Sequence, residues 1–186
     1  MVYLFDVMST LVYDPFLKDV PKAFGISLSD FFRGKDRYAW VDFENNLIDE
    51  AGFAKRFSSD GQAAYRMRDV IFENYRWNEG MKELLISLRA EGHTLCTLSN
   101  YPVWYEFLDD KVGLSQHMDH SFVSYRMGVR KPDPLAYTIP LNTLNIDAKD
   151  AIFIDDRFEN CAAARLLGMR AIQFQNIDQL LEELEH

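Results

Sequence analysis

Residues 81–100, MKELLISLRAEGHTLCTLSN, decide the fold. Met81, Leu84, Leu85 and Leu88 recur at the spacing of one helix face, and the stripe stops at Gly92, a residue suited to the left-handed backbone of a helix end. Thr94 to Leu98 then forms an apolar run of strand length that ends on two polar residues, Ser99 and Asn100. The same alternation continues downstream. Pro102 is expected to open a helix with Val103, Phe107 and Leu108 on one face, and Phe122-Val123 supplies a weak third strand. Pro134, behind the candidate cap Asp133, opens another helix that Pro140 should kink or break. Ala151 to Ile154 reads as a fourth strand, followed by a helix ending at Gly168. Ala171 to Phe174 reads as a fifth strand, and Ile177, Leu180, Leu181 and Leu184 form a last helical stripe. Upstream, Met1 to Asp6 is a first buried strand ending on a carboxylate. Strands joined through helices of this length need parallel, right-handed crossovers. The expected class is therefore α/β, a doubly wound parallel sheet of Rossmann type with helices on both faces.

Between the first strand and residue 81 the pattern changes. From about Asp14 to Trp77 the chain is rich in aromatics and acids at helical spacing: Phe53 and Phe57 fall four apart, as do Phe72 and Arg76 after Met67 and Ile71. The expected organisation is a core of residues 1–13 and 79–186 with a helical cap of residues 14–78 inserted in it. A length of 186 residues with 48% hydrophobic and 26% charged residues suits one soluble domain with a real core. Twenty Lys plus Arg against 29 Asp plus Glu give a net charge of -9, which repels a phosphate backbone, so no nucleic acid partner is expected. No apolar run reaches the roughly 18 residues of a bilayer span and no basic leader precedes an apolar core, so a cytoplasmic chain without a membrane partner is expected. Cys96 and Cys161 lack ligand-spaced companions and read as packed thiols. His93, His117, His120 and His186 likewise have no partner at ligand spacing and read as solvated.

Ligands of open α/β sheets collect beyond the carboxyl ends of the strands. That edge would gather Asp6 from the first strand, Ser99 and Asn100 from the second, and Asp155 and Asp156 from the fourth. Three carboxylates at one edge repel unless a cation or protons compensate, and oxygen ligands of this kind suit Mg2+ with room for a phosphate. Each acid alone reads more simply as a helix cap; the set together points to a magnesium phosphate site.

Four segments resemble the motif series of the haloacid dehalogenase superfamily: Phe5 to Leu11 with Asp6, Leu98-Ser99-Asn100, Arg130 to Pro134 with Lys131, and Phe153 to Arg157 with Asn160. They occur in the family's order, with the helical insertion where the family carries its cap. The resemblance implies that Asp6 attacks phosphorus and becomes an aspartyl phosphate, a covalent route that divides one hard displacement into two easier ones. It implies that Ser99 and the backbone at Asn100 hold phosphoryl oxygens and that Lys131 offsets the crowded negative charge. Asp156 would ligate magnesium directly, with Asp6 and the main-chain carbonyl of Met8, and Asp155 would support it through water or hydrogen bonds. Asn160 is either a supporting or substrate-contacting residue or an exposed one in the first turn of a helix.

One position departs from the superfamily's phosphatases, which carry an acid–base aspartate two residues after the nucleophile. Here that residue is Met8, and a thioether donates no proton, although the missing group is typically worth roughly 10²–10⁴ in rate. Three alternatives follow: a slow phosphatase, another acid such as Tyr13 or Asp14 or a substrate group, or a protein that binds a phosphate ligand or regulates with little turnover. A haloacid dehalogenase ranks below these, since dehalogenases of the superfamily need no magnesium and would gain nothing from the Asp155-Asp156 pair. The words around the motifs, DVMSTLVYDPF at 6–16, Asp19-Val20-Pro21, Trp40 to Glu50 and SNYPVWY at 99–105, resemble the plant plastid flavin mononucleotide hydrolases, where methionine also follows the nucleophile by two. That likeness implies a small phosphorylated metabolite, flavin mononucleotide foremost, as partner. Among the abundant rings, Trp40, Tyr65, Tyr75 and Trp77 read as cap core or seam. Tyr101, Trp104 and Tyr105, just after the phosphate loop, are the candidates for substrate contact.

Overall fold

The computed structural model describes residues 1–36, 38–58 and 61–185; His186 lies outside them. Five strands form one parallel sheet in the order β3-β2-β1-β4-β5: β1 (Val2–Phe5), β2 (Thr94–Ser99), β3 (His120–Val123), β4 (Ala151–Asp155) and β5 (Arg170–Gln173). Strand order runs outward from β1 to β3 and then returns to β4, so β1 and β4 are the neighbours at which the winding reverses, the place where crevices open in such sheets.

All four residues of β1 are buried, and they alternate between two apolar layers. Tyr3 and Phe5 face a cluster built with Leu84, Leu85 and Leu88 of α6 (Met81–Ala90), Leu108 of α7 (Tyr105–Val112) and Leu180 of α11 (Ile177–Leu184). Val2 and Leu4 face the opposite cluster, with Tyr137 and Leu141 of α9 (Pro134–Leu144) and Cys161 and Ala164 of α10 (Phe158–Leu166). A short helix, α8 (Ser124–Met127), follows β3 directly.

Five helices lie between β1 and α6: α1 (Asp19–Phe24), α2 (Leu28–Phe32), α3 (Ala39–Glu44), α4 (Glu50–Phe57) and α5 (Gln62–Asn74). Phe31, Phe43, Phe53, Phe57, Met67 and Ile71 from these helices join the first cluster without a break. Among the described residues no helix is long and apolar enough to cross a membrane.

The local signals hold at the C-terminal end of α6 and the N-terminal end of α9. Gly92 sits at φ 82°, letting the chain leave the helix for β2. The Asp133 side chain accepts the Leu135 N–H at 2.9 Å ahead of Pro134.

Several expectations fail for identifiable reasons. Pro140 does not break α9, which runs through it. Its flanking residues Ala136, Tyr137 and Leu141 are buried against the sheet, and that burial outweighs the missing backbone bond, worth about 3 kcal/mol. Pro102 does not open α7 but lies in the turn before it, its carbonyl accepting the Tyr105 N–H. The later start rotates the face: Tyr105 and Leu108 are buried, whereas Val103 and Phe107 are exposed, Phe107 lying flat on Phe72 of α5 with ring centroids 3.9 Å apart. Arg76 falls outside α5, which ends at Asn74, so it does not continue the Phe72 face. His93 and His117 are half-buried rather than solvated: His93 lies 5.2 Å from the Tyr3 ring and His117 meets the edge of Trp77. Both thiols are free and packed as expected, and burial pushes each up to about 12.

Candidate active site

The carboxyl edge of the sheet brings together Asp6, Asn100, Lys131, Asp156 and Asn160 on the floor of one cavity of about 480 Å³. Asp6 leaves β1 with its N–H held by the Ile154 carbonyl at 2.8 Å, which fixes it beside the end of β4. The chain then doubles back in a tight turn, Val12 N–H to Val7 carbonyl and Ser9 N–H to Val12 carbonyl, both 2.8 Å. Ser9 takes a left-handed φ of 64°, an uncommon conformation for a residue with a side chain, and lines the cavity. No local sequence signal announced it.

Lys131 is the cation that the crowded carboxylates require. Its side chain is 1% exposed, and the ammonium donates to Asp6 Oδ1 at 2.7 Å and to Asp155 Oδ2 at 2.6 Å. Burial pulls the lysine down, but Asp155 and Asp6 outweigh it and hold the ammonium above its usual range. Asn100 sets the position of this residue: its Nδ2 donates to the Lys131 carbonyl and its Oδ1 accepts the Lys131 N–H, each at 2.8 Å.

Asp155 is fully buried and engaged on both oxygens. Besides Lys131 it accepts the Arg157 N–H at 2.8 Å and two contacts from Asn160 Nδ2 at 3.0 Å. Asn160 is thus a buried residue that orients Asp155, not an exposed one. Asn160→Ala is expected to cost about 1.5–3 kcal/mol in urea unfolding, as befits a hydrogen bond to a buried charge. A cost near zero would mean the other donors hold Asp155 unaided.

Two carboxylates on the floor are less well compensated. Burial raises Asp6 above the usual carboxylate range, with Lys131 opposing and Asp155 reinforcing. Burial, then the charge of Asp155, raises Asp156 to about 6. Among the described residues no backbone N–H donates to the Met8 carbonyl. No group of three or more His, Cys, Asp or Glu side chains among them is set to hold a metal ion. Asp6 and Asp156 on this floor, and the main-chain carbonyl of Met8, a residue that also lines the cavity, are the oxygens from which a cation site would have to be built.

Ser99 lies beneath this floor, 1% exposed and outside the cavity lining, and its Oγ has no hydrogen-bond partner among the described residues. Of the alternative acids, Tyr13 does not line the cavity; its ring lies under the Arg76 guanidinium at 3.5 Å. Asp14 lines it, with Oδ1 accepting the Phe16 N–H at 2.9 Å.

Much of the cavity wall is apolar: Phe16, Phe32, Trp40, Phe57, Met67 and Ile71, with Met8 beside the floor. The ring assignments from sequence change here. Trp40, expected in the core, lines the cavity, and so does Tyr101, whose hydroxyl lies 2.7 Å from that of Tyr75. Trp104 and Tyr105 do not line it. Trp104 is buried among Trp40, Phe43, Phe53 and Phe72 and donates to Glu50 at 3.0 Å, while the Tyr105 hydroxyl lies 3.1 Å from that of Thr97. Tyr65 is half-buried against the core, and Trp77 donates to the Val112 carbonyl at 3.0 Å. Sequence reasoning also missed Glu44, a buried acid of α3 on the cavity wall beside Arg130.

Residues 2–168 match the family model of the haloacid dehalogenase-like hydrolases. The chain belongs to this family and is an enzyme of the phosphatase kind. It is 38% identical over 185 residues to flavin mononucleotide hydrolase 1 of Arabidopsis thaliana, named as chloroplast, covering 98% of this chain and 76% of that protein. It is 29% identical over 124 residues to glyceraldehyde 3-phosphate phosphatase of Pyrococcus abyssi, covering 64% of this chain and 50% of that one. Among solved structures it is similar to a haloacid dehalogenase family enzyme of Bacteroides thetaiotaomicron in a magnesium complex. The TM-score is 0.81 at 19% identity, over 99% of this chain and 98% of that one.

Proposed function

We propose that the chain hydrolyses a phosphate monoester with a flat, largely apolar body, flavin mononucleotide first among them, through a phosphoryl group carried on Asp6. The observation that supports this most is the polarity of the cavity. Asp6, Lys131 and Asp156 form a charged floor fit for a phosphate, under walls of Phe16, Phe32, Trp40 and Phe57 fit for a ring system. The 38% identity to a flavin mononucleotide hydrolase supports the same substrate.

Asp6 Oδ2 is the oxygen left to attack phosphorus, since Oδ1 is held by Lys131 at 2.7 Å. Lys131 lies where it also neutralises an entering phosphoryl oxygen, and Asn100 keeps it there from both sides of its backbone. Asp6, Asp156 and the Met8 carbonyl would hold magnesium, and what the ion supplies is screening of phosphate from Asp6 and stabilisation of the transition-state charge. Asp155 and Asn160 act behind them, fixing Lys131.

The test is phosphate release from flavin mononucleotide and from glycerol and sugar phosphates, with Mg2+ and with chelator. Flavin mononucleotide should be preferred in kcat/KM by about tenfold or more, the scale of one or two ring contacts. Chelator should bring release to background and added Mg2+ restore it. Silence across the panel by folded protein would overturn the reading, and preference for a small polar ester would remove the flavin.

A further inference from the structure

Methionine at residue 8 leaves the reaction without a proton donor for the leaving oxygen, and among the described residues the cavity is lined by two carboxyl groups that the proposed mechanism does not use, Asp14 and Glu44. Glu44 ends α3, and its side chain is 5% exposed. Its Oε1 accepts the Trp40 indole N–H at 2.6 Å. Its Oε2 lies 2.8 Å from Arg130 Nε, yet it is buried without a hydrogen bond among the described residues. Its backbone carbonyl accepts the Ser124 hydroxyl at 2.6 Å, tying the end of α3 to α8.

We propose that Glu44 is the general acid and base of this enzyme, acting from the cavity wall in place of the side chain that Met8 does not supply. This rests on the phosphatase reading above. As Asp6 Oδ2 bonds to phosphorus, the bond from phosphorus to the ester oxygen breaks, and that oxygen takes the electron pair and the proton from the Glu44 carboxyl. The alcohol leaves. Glu44, now a carboxylate, then takes a proton from water as the water oxygen bonds to phosphorus. The bond from phosphorus to Asp6 breaks with its electron pair returning to the carboxylate, and inorganic phosphate departs. Both residues end as they began.

Glu44 suits this role better than Asp14. Burial raises Glu44 to about 7, against Arg130, the Trp40 indole, Arg157 and Lys131, so both protonation states are accessible near neutrality. Among the described residues, Arg130, Lys131 and Arg157 are the cations lining the cavity, so the cations acting on Glu44 are those gathered at the phosphate end. Tyr101, also lining the cavity, feels the charges of both Asp14 and Glu44 and is itself raised, chiefly by burial. Asp14 is raised by burial with only the Phe16 N–H opposing, and none of these cations acts on it.

The acidity of the leaving alcohol separates proton donation from positioning. With Mg2+ present, Glu44→Gln should lower kcat/KM on flavin mononucleotide, which reports the steps up to departure of the alcohol, by about 10²–10⁴-fold. On p-nitrophenyl phosphate, whose phenolate departs without a proton, the same change should cost kcat/KM less than about tenfold. Glu44→Asp, which keeps the carboxyl, should preserve the wild-type ratio of the two rates even where both fall, and serves if the glutamine variant folds poorly. Adding Met8→Asp to Glu44→Gln should restore flavin mononucleotide turnover by at least about tenfold. Equal losses of kcat/KM on both esters in Glu44→Gln would make Glu44 a positioning residue for Arg130 and overturn the proposal, as would an undiminished kcat/KM on flavin mononucleotide. A wild-type protein inactive on both esters would instead remove the phosphatase reading itself.

Discussion

Asp6→Asn is expected to abolish turnover, with kcat on any monoester falling by at least about 10⁴-fold, while the fold is retained. The size follows from removing a nucleophile from a group of residues that act as a unit, where loss of one member costs nearly as much as loss of all. The retained fold follows from the site itself. Burial already raises the Asp6 carboxyl, so holding it ionised works against stability, and an amide of the same shape removes that cost. Lys131 keeps Asp155 at 2.6 Å, so its ammonium is not stranded. The variant should therefore melt within a few degrees of the parent while releasing no phosphate above background. A folded variant with a rate within tenfold of the parent would exclude a phosphoryl group carried on Asp6.

This expectation depends on residues that sequence patterning reaches well and on contacts it does not. The strands were legible because each is a short apolar run closed by a polar residue, and in a parallel sheet those polar residues fall on one edge: Asp6, Ser99 and Asp155 are such residues. Lys131 could not be placed by that logic, since it sits in a loop before α9 and only the fold sets its ammonium between two carboxylates 125 and 24 residues away. Asn160 was ambiguous because residue type alone does not say which side of a first helical turn is covered; the contact with Asp155 decides it.

The aromatics show the same limit. Spacing said that Trp40 and Trp104 lie on helices or beside them, but a ring in the core and a ring on a cavity wall have the same period. Only the packing of α3 against the carboxyl edge exposes Trp40 to the cavity and closes Trp104 inside the cluster. Glu44 escaped for a related reason. A single acid near a helix end reads as solvated, and its burial against Arg130 is a tertiary contact across 86 residues of chain.

Lys131→Met tests the electrostatic design of the whole site. The substitution keeps an unbranched side chain but removes the charge between Asp6 and Asp155, and breaking a buried pair in this way costs about 3–5 kcal/mol because the remaining charge is uncompensated. For a chain of this length that is a fall in melting temperature of roughly 6–20 °C at neutral pH, with turnover lost alongside. The loss should also depend on pH in a stated direction. Lys131 is the first of the influences holding Asp6 down against burial, so its removal moves the folded-state Asp6 still further above the unfolded value. A carboxyl raised in this way binds more protons folded than unfolded, so its contribution to stability is complete below the ordinary carboxylate range and declines as pH rises toward the folded value. The variant should therefore recover part of the deficit at about pH 5.5 and show a larger one at about pH 8, whereas the parent, with the lysine in place, should vary less. A deficit of equal size at both values would mean that Lys131 supports the fold by filling space, and that the charge on Asp6 is compensated by other groups.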